Sequence, residues 1–166
     1  MNTGRTADPI DSALLRVLAA SPDATNLALA EGTGLARNTV RARLARYAQE
    51  GSLWGFERRI DPAFLGYPLR AFIVTRVTQR KIPDIAEELR GIPEVVEVQG
   101  LSGVADLLIQ VVACDADNLY RVAGRILAID GVKRTSTGLV MQELVDYRVL
   151  QLVPQNTMRS EASLKD

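Results

Sequence analysis

The sequence predicts an α+β chain in two parts, on three observations. Up to about Glu50 the apolar residues recur every three to four positions, the spacing of one buried helix face. After Pro62–Pro68, a stretch that holds Gly66 and punctuates the chain, the period falls to two, as it does in strands. The second part also repeats itself: Ile92-Pro93-Glu94-Val95 ahead of one apolar run resembles Ile129-Asp130-Gly131-Val132 ahead of another.

Asp8, Pro9 and Asp11 read as an N-cap, a proline at the first helical position and an acidic residue at the positive end of a helix. That helix runs to about Ala20, with Ile10, Leu14, Val17 and Leu18 on one face, and Ser21-Pro22-Asp23 stops it. A short helix follows from Thr25 or Asn26 through Glu31. Gly32-Thr33-Gly34-Leu35 then supplies a glycine turn with an apolar residue placed to plug the core. The third helix spans about Ala36 to Glu50, and Gly51 sits where a left-handed C-cap belongs. Leu53, Trp54, Phe56 and Ile60 interleave with Gly55, Arg58 and Arg59, a pattern for a short β wing. Three helices with a glycine turn before the last make a winged helix-turn-helix.

In the second part, strands are expected at about 69–78, 95–101, 106–113 and 132–146, the last able to break near Gly138, with helices at about 82–90 and 116–129. The order β-α-β-β-α-β with an internal repeat is that of a ferredoxin-like split βαβ sandwich. Its third strand, Leu107 to Val112, is apolar on both faces. Helices cover one face of such a sheet, so the other is expected to pack on a second subunit. The domains are therefore read as residues 1–61, a hinge at 62–68, a second domain at 69–152 and a disordered tail at 153–166.

Composition excludes more than it proposes. With 20 basic against 20 acidic residues, the whole molecule does not announce a polyanionic partner, so a basic site has to be local. There is no histidine, which removes serine-histidine triads and Cys/His zinc sites. No catalytic residue, metal or cofactor is assigned. The one cysteine, Cys114, lies in an apolar stretch, reads as a core residue, and fits a reducing compartment. Met1 to Asp8 carries no apolar leader core, and the run Leu107 to Cys114 is too short to span a bilayer, so a soluble cytoplasmic protein without a membrane partner is expected.

The local basic site is on the third helix. At 100° per residue Val40, Leu44 and Tyr47 cluster inward, and Asn38, Ala42, Ala45 and Gln49 lie opposite. Arg41 and Arg46 flank that outer face, while Arg37 and Arg43 lie near the core boundary, where a long side chain can reach sideways to phosphate. Small alanines let the backbone approach base edges, and Asn38 and Arg41 can offer paired bonds to adenine and guanine. From Arg37 to Arg59 six arginines face only Glu50 and Glu57. A lone surface arginine is usually a solvated charge. The combination with a tri-helical pattern points instead to double-stranded DNA. The candidate DNA-binding residues are Arg37, Asn38, Thr39, Arg41, Ala42, Arg43 and Arg46.

These residues resemble the Lrp/AsnC family, the leucine-responsive or feast/famine regulators. Leu27-Ala28-Leu29-Ala30-Glu31, Gly34 through Leu44 and Glu50-Gly51 are similar to its DNA-binding module, Ile60-Asp61-Pro62 through Leu65-Gly66 to its hinge, and Gly103-Val104-Ala105-Asp106-Leu107-Leu108 to its effector-domain loop. The likeness covers about Pro9 to Leu150. It implies a transcription regulator that forms homodimers and then larger assemblies, often octamers, with amino-acid effectors bound between neighbouring effector domains. Two positions depart from the pattern. Ala36 stands where the family commonly has serine, so the third helix lacks its usual N-cap, a loss of about 1 kcal/mol. Ala105 stands where an aromatic residue often precedes the aspartate. Gly100, Ser102, Gly103 and Asp106 are the candidate effector-binding residues: glycines expose backbone groups, and the carboxylate can receive an ammonium. Residue types alone allow a plain turn with a strand-end aspartate. Two other functions suit the architecture, a nucleoid-like DNA binder indifferent to metabolites and an enzyme resembling the siroheme decarboxylases, whose chemistry leans on histidines this chain does not have.

Overall fold

A computed structural model describes residues 6–154, and these form two compact units: one runs up to Gly55 and resumes at Val145, the other is Phe56–Leu144. The tail expected at 153–166 lies, beyond Pro154, outside the described residues.

The first unit is helical. Helix α1 (Pro9–Ala20) opens on a reciprocal cap: the Asp11 N–H donates to the Asp8 carboxylate at 2.8 Å and the Asp8 N–H to the Asp11 carboxylate at 3.1 Å. Helix α2 (Asn26–Thr33) is capped by Thr25 Oγ1, which accepts from the Ala28 N–H. Gly34, at φ 70°, turns the chain toward α3 (Arg37–Glu50). That helix has no side-chain cap, because Ala36 occupies the capping position, and it ends on left-handed Gly51. Leu14, Leu29, Val40 and Tyr47 form the core, and Leu44 and the plug residue Leu35 pack against it. The segment from Val145 returns to this unit. Tyr147 lies 5.4 Å from Trp54, ring to ring, and Arg16 Nη2 donates to the Val153 carbonyl at 3.0 Å.

Two expectations for this region are corrected. Residues 53–60 form no strand; Phe56–Arg59 is a 3-10 turn that belongs to the second unit. A β wing needs two runs long enough to pair, and Gly55 divides an already short segment. Residues 145–152, expected in the second domain and as far as Asp146 in its last strand, belong to the helical unit.

The second unit begins with two 3-10 turns, the other at Pro62–Leu65, capped by Asp61 and closed by left-handed Gly66. Strands β1 (Leu69–Val77), β2 (Val95–Gly100), β3 (Leu107–Ala113) and β4 (Val132–Leu139) form one antiparallel sheet in the order β2-β3-β1-β4. Helices α4 (Ile82–Arg90) and α5 (Ala116–Ala128) connect the strands, and Ile85, Leu89, Val122 and Ile126 pack on Ile73, Ile109 and Val111. The sequence repeat becomes a repeated turn: the Val95 N–H donates to the Ile92 carbonyl and the Val132 N–H to the Ile129 carbonyl, each at 3.0 Å. Gly131, at φ 97°, has no room for a side chain, since a Cβ there would lie 2.8 Å from Lys81 Cδ.

Strand β4 stops at Leu139, well short of the expected Asp146 and next to the break expected near Gly138; Leu139 lies opposite Ala71, and beyond it the Val140 N–H still donates to the Arg70 carbonyl at 2.8 Å. Cys114 is exposed, against the expectation of a core residue. β3 ends at Ala113, and Cys114 already belongs to the turn leading to Asp115, the N-cap of α5.

Thr75 sits in the middle of β1 at 1% exposure, and among the described residues its hydroxyl has no hydrogen-bond partner. An orphaned buried hydroxyl costs about 1–3 kcal/mol. Thr75→Val keeps the shape and removes the orphan, so it should raise the urea midpoint of the second unit. An unchanged or lower midpoint would show that the hydroxyl is satisfied in solution.

Candidate nucleic-acid interface and effector loop

Helix α3 presents Arg37, Asn38, Arg41, Ala42, Ala45 and Gln49 to solvent, while Val40 and Tyr47 are buried against the other helices. This is the outer face expected from the wheel, with Thr39 half-buried at its edge. Arg43 and Arg46 are turned elsewhere. Arg43 Nη1 reaches Asp8 at 2.5 Å and Asp11 at 2.8 Å, and Arg46 Nη2 reaches the same Asp11 oxygen at 2.8 Å. The Tyr47 hydroxyl donates to that oxygen at 2.6 Å. Arg46 also lies over the Tyr47 ring, 5.8 Å from its centroid. Of the arginines expected at the DNA, Arg37 and Arg41 stand on the outer face and Arg43 and Arg46 clamp α3 to α1.

Asp11 is 3% exposed, and burial alone would raise its pKa. The bonds from Tyr47, the Asp8 N–H and Arg43 outweigh burial and hold the carboxyl below the ordinary aspartate range. Burial, with Asp11 beside it, pushes the Tyr47 phenol well up. The cluster therefore stays ionised at Asp11 and neutral at Tyr47 across neutral pH. Asp8 and Asp11, which the sequence shows only as a helix cap, also brace α3. Their Asp-x-x-Asp spacing was visible, but the partner arginines come from a different helix.

The expected effector residues lie on one loop between β2 and β3. Gly100 ends β2, Ser102 is exposed, and Gly103 adopts φ 112°. Asp106 is half-buried and holds the neighbouring strand: one oxygen accepts from the Val77 N–H at 2.8 Å and the other from Gln79 Nε2 at 2.6 Å. Its own N–H donates to the Thr75 carbonyl, and its carbonyl accepts from the Leu101 N–H. Asp106 thus also shapes the fold, a role that residue type did not reveal. Val104 is 86% exposed at the loop tip, and Arg76 Nε donates to its carbonyl at 2.6 Å. Ala105 is buried where a larger residue would have to find room. Among the described residues no three His, Cys, Asp or Glu side chains come together to hold a metal, and no helix is long and apolar enough to cross a membrane.

Residues 8–51 match the model of a winged helix-turn-helix DNA-binding domain, and residues 70–150 that of the Lrp/AsnC ligand binding domain. A helix-turn-helix-type transcriptional regulator of Pyrococcus horikoshii is 30% identical over 135 residues, which cover 81% of this chain and 89% of that protein. The transcriptional regulator AldR of Mycolicibacterium smegmatis is 33% identical over 144 residues, 84% of each chain. A feast or famine regulatory protein of M. tuberculosis, solved as a complex with L-methionine, aligns with a TM-score of 0.74 at 29% identity, covering 87% of this chain and 98% of that one. With both modules matched in order, and with relatives named as transcriptional regulators, this chain belongs to the Lrp/AsnC family of DNA-binding, ligand-responsive transcription regulators.

Proposed function

We propose that the outer face of α3 reads operator DNA in the major groove and that a free amino acid at the 100–106 loop tunes that binding. One observation carries the reading: the exposed face joins Arg37, Asn38, Arg41 and the small Ala42 and Ala45 on a helix braced from behind by Asp11. Asn38 and Arg41 bond base edges, Arg37 meets phosphate, and the alanines let the helix sit close. The M. tuberculosis complex with L-methionine supports an amino acid as the class of effector. In this reading the chain has no catalytic step and works in the cytoplasm, where its DNA lies.

The sheet face away from α4 and α5 carries Phe72, Val74 and Leu108 among polar neighbours, and Phe72 is 38% exposed. We assign this face to a second copy of the chain, the first step toward a larger assembly such as an octamer. A monomeric mass by light scattering at micromolar concentration would count against it.

Genomic footprints with and without amino acids test the function. Discrete protected sites whose occupancy changes with one amino acid are expected. Sites that ignore every amino acid would favour a ligand-independent, nucleoid-like binder. Uniform coverage without sites would refute operator reading.

A further inference from the structure

Arg76 and Arg134 are directly opposed partners in the β1–β4 ladder. Side chains at opposed positions share a face, with Cβ atoms about 4.5–5.5 Å apart, and like charges there repel. Arg76 follows Phe72 and Val74 on the exposed side of β1, so both arginines stand at the loop-side end of the face that α4 and α5 leave uncovered, past the Phe72 and Val74 patch assigned above to a second copy. Both are exposed, and among the described residues neither has a carboxylate partner. The bond Arg76 does make, through Nε, goes to the Val104 carbonyl of the effector loop. On the other side of β1, Thr75 is opposite Leu107, so Asp106 comes next in line, with its carboxylate on the Val77 N–H. One end of the sheet thus presents, in order across β3, β1 and β4, a carboxylate, a guanidinium and a second guanidinium.

An anion between two opposed arginines converts their repulsion into charge-assisted hydrogen bonds, and the planar fork of a guanidinium matches the two oxygens of a carboxylate. A free amino acid carries its ammonium and its carboxylate on one carbon, so it needs an acid and a base side by side. Asp106 has that spare capacity, because each of its oxygens takes one bond and can accept another. We propose that Arg76 and Arg134 form the carboxylate subsite of the effector, with the ammonium turned toward Asp106; this rests on the reading of the 100–106 loop as an amino-acid site.

Thermal unfolding of the full chain, at fixed ionic strength, tests the pair. The probes are an equimolar mixture of the twenty protein amino acids and, separately, acetate, which has the carboxylate and no ammonium. The proteins are wild type, Arg76→Gln and Arg134→Gln. Arg134 is the decisive position, because it makes no bond to the loop. Amino acids should raise the wild-type midpoint, and the concentration for half the effect should rise at least tenfold in both variants. Acetate should act more weakly and through the same two residues. Without ligand at low salt, Arg134→Gln should unfold no earlier than wild type, since the repulsion is gone. If amino acids stabilise all three proteins equally, the arginine subsite is wrong and the loop reading stands. If acetate needs both arginines and amino acids do no better than acetate, the subsite stands and the amino-acid reading fails. If neither probe moves the wild type, both fail.

Discussion

Asp11→Ala is expected to unfold a large fraction of the helical unit and to remove DNA binding at every sequence. Asp11 is the shared acceptor for Arg43, Arg46 and Tyr47, and the substitution removes it from all three in a half-buried site, leaving Asp8 to Arg43 and the more distant Glu50, at 3.9 Å, to Arg46. Removing one partner of a buried ion pair costs about 3–5 kcal/mol, a large share of the roughly 5–15 kcal/mol that holds a small domain together. The arginine side chains keep 18% and 26% exposure, which lets water soften the loss and places the expectation toward the lower end, about 3 kcal/mol. Trp54, the single tryptophan, lies in this unit beside Tyr147, so its fluorescence in a urea titration reads the change directly. The pH dependence follows from the lowered Asp11 pKa: the stabilisation is present above the unfolded-state value and is lost as pH falls through the lower folded-state value. Wild type and Asp11→Ala should therefore differ at neutral pH and converge in acid. A constant gap down to strongly acidic pH would mean that the cluster is held by packing rather than by charge.

Arg41→Ala should do the opposite, leaving the fold intact while erasing sequence preference. Arg41 is exposed on the outer face of α3, and a bidentate arginine–guanine contact is worth about 1–3 kcal/mol of discrimination, roughly five- to 150-fold. Operator affinity should drop by that factor, with a much smaller change on random DNA. Arg46→Ala supplies the contrast. Its guanidinium is spent on Asp11, so its effect should appear first in the urea midpoint and only secondarily in DNA affinity, equally for all sequences. Binding isotherms on operator and random duplex, taken at several salt concentrations, separate the two. If Arg46→Ala flattens the salt dependence while stability is unchanged, the residue leaves Asp11 to contact phosphate in the complex.

Much of this was legible in the sequence because the signals are local. The cap at Asp8, the turn at Gly34, the stop at Gly51 and the repeated turns at Ile92 and Ile129 are written within a few residues of where they act. So is the exposed face of α3, which needs only the helical period. What escaped depends on distant partners. Arg43 and Arg46 look like groove-side cations until α1 brings Asp11 beneath them. Asp106 looks like a loose strand-end carboxylate until β1 places the Val77 N–H against it. The opposition of Arg76 and Arg134 exists only in the β1–β4 register, which is set by the sheet as a whole and involves residues 58 positions apart (134 − 76).

The return of the chain at Val145 to the helical unit makes the sheet unit an insertion, joined to the helical unit by two peptide crossings, at Gly55/Phe56 and Leu144/Val145. A proteolytic nick at Leu144/Val145 leaves the helices covalently joined to the sheet unit, whereas a nick at Gly55/Phe56 leaves them held only by noncovalent contacts with the segment from Val145, such as Trp54 on Tyr147 and Arg16 on Val153. Truncation of the chain near Leu144 would likewise trim the regulator at its DNA-reading end, taking Tyr147 from Trp54 and Val153 from Arg16. Signals from the ligand unit have two covalent routes into the helices, and one of them is the chain's own closing segment.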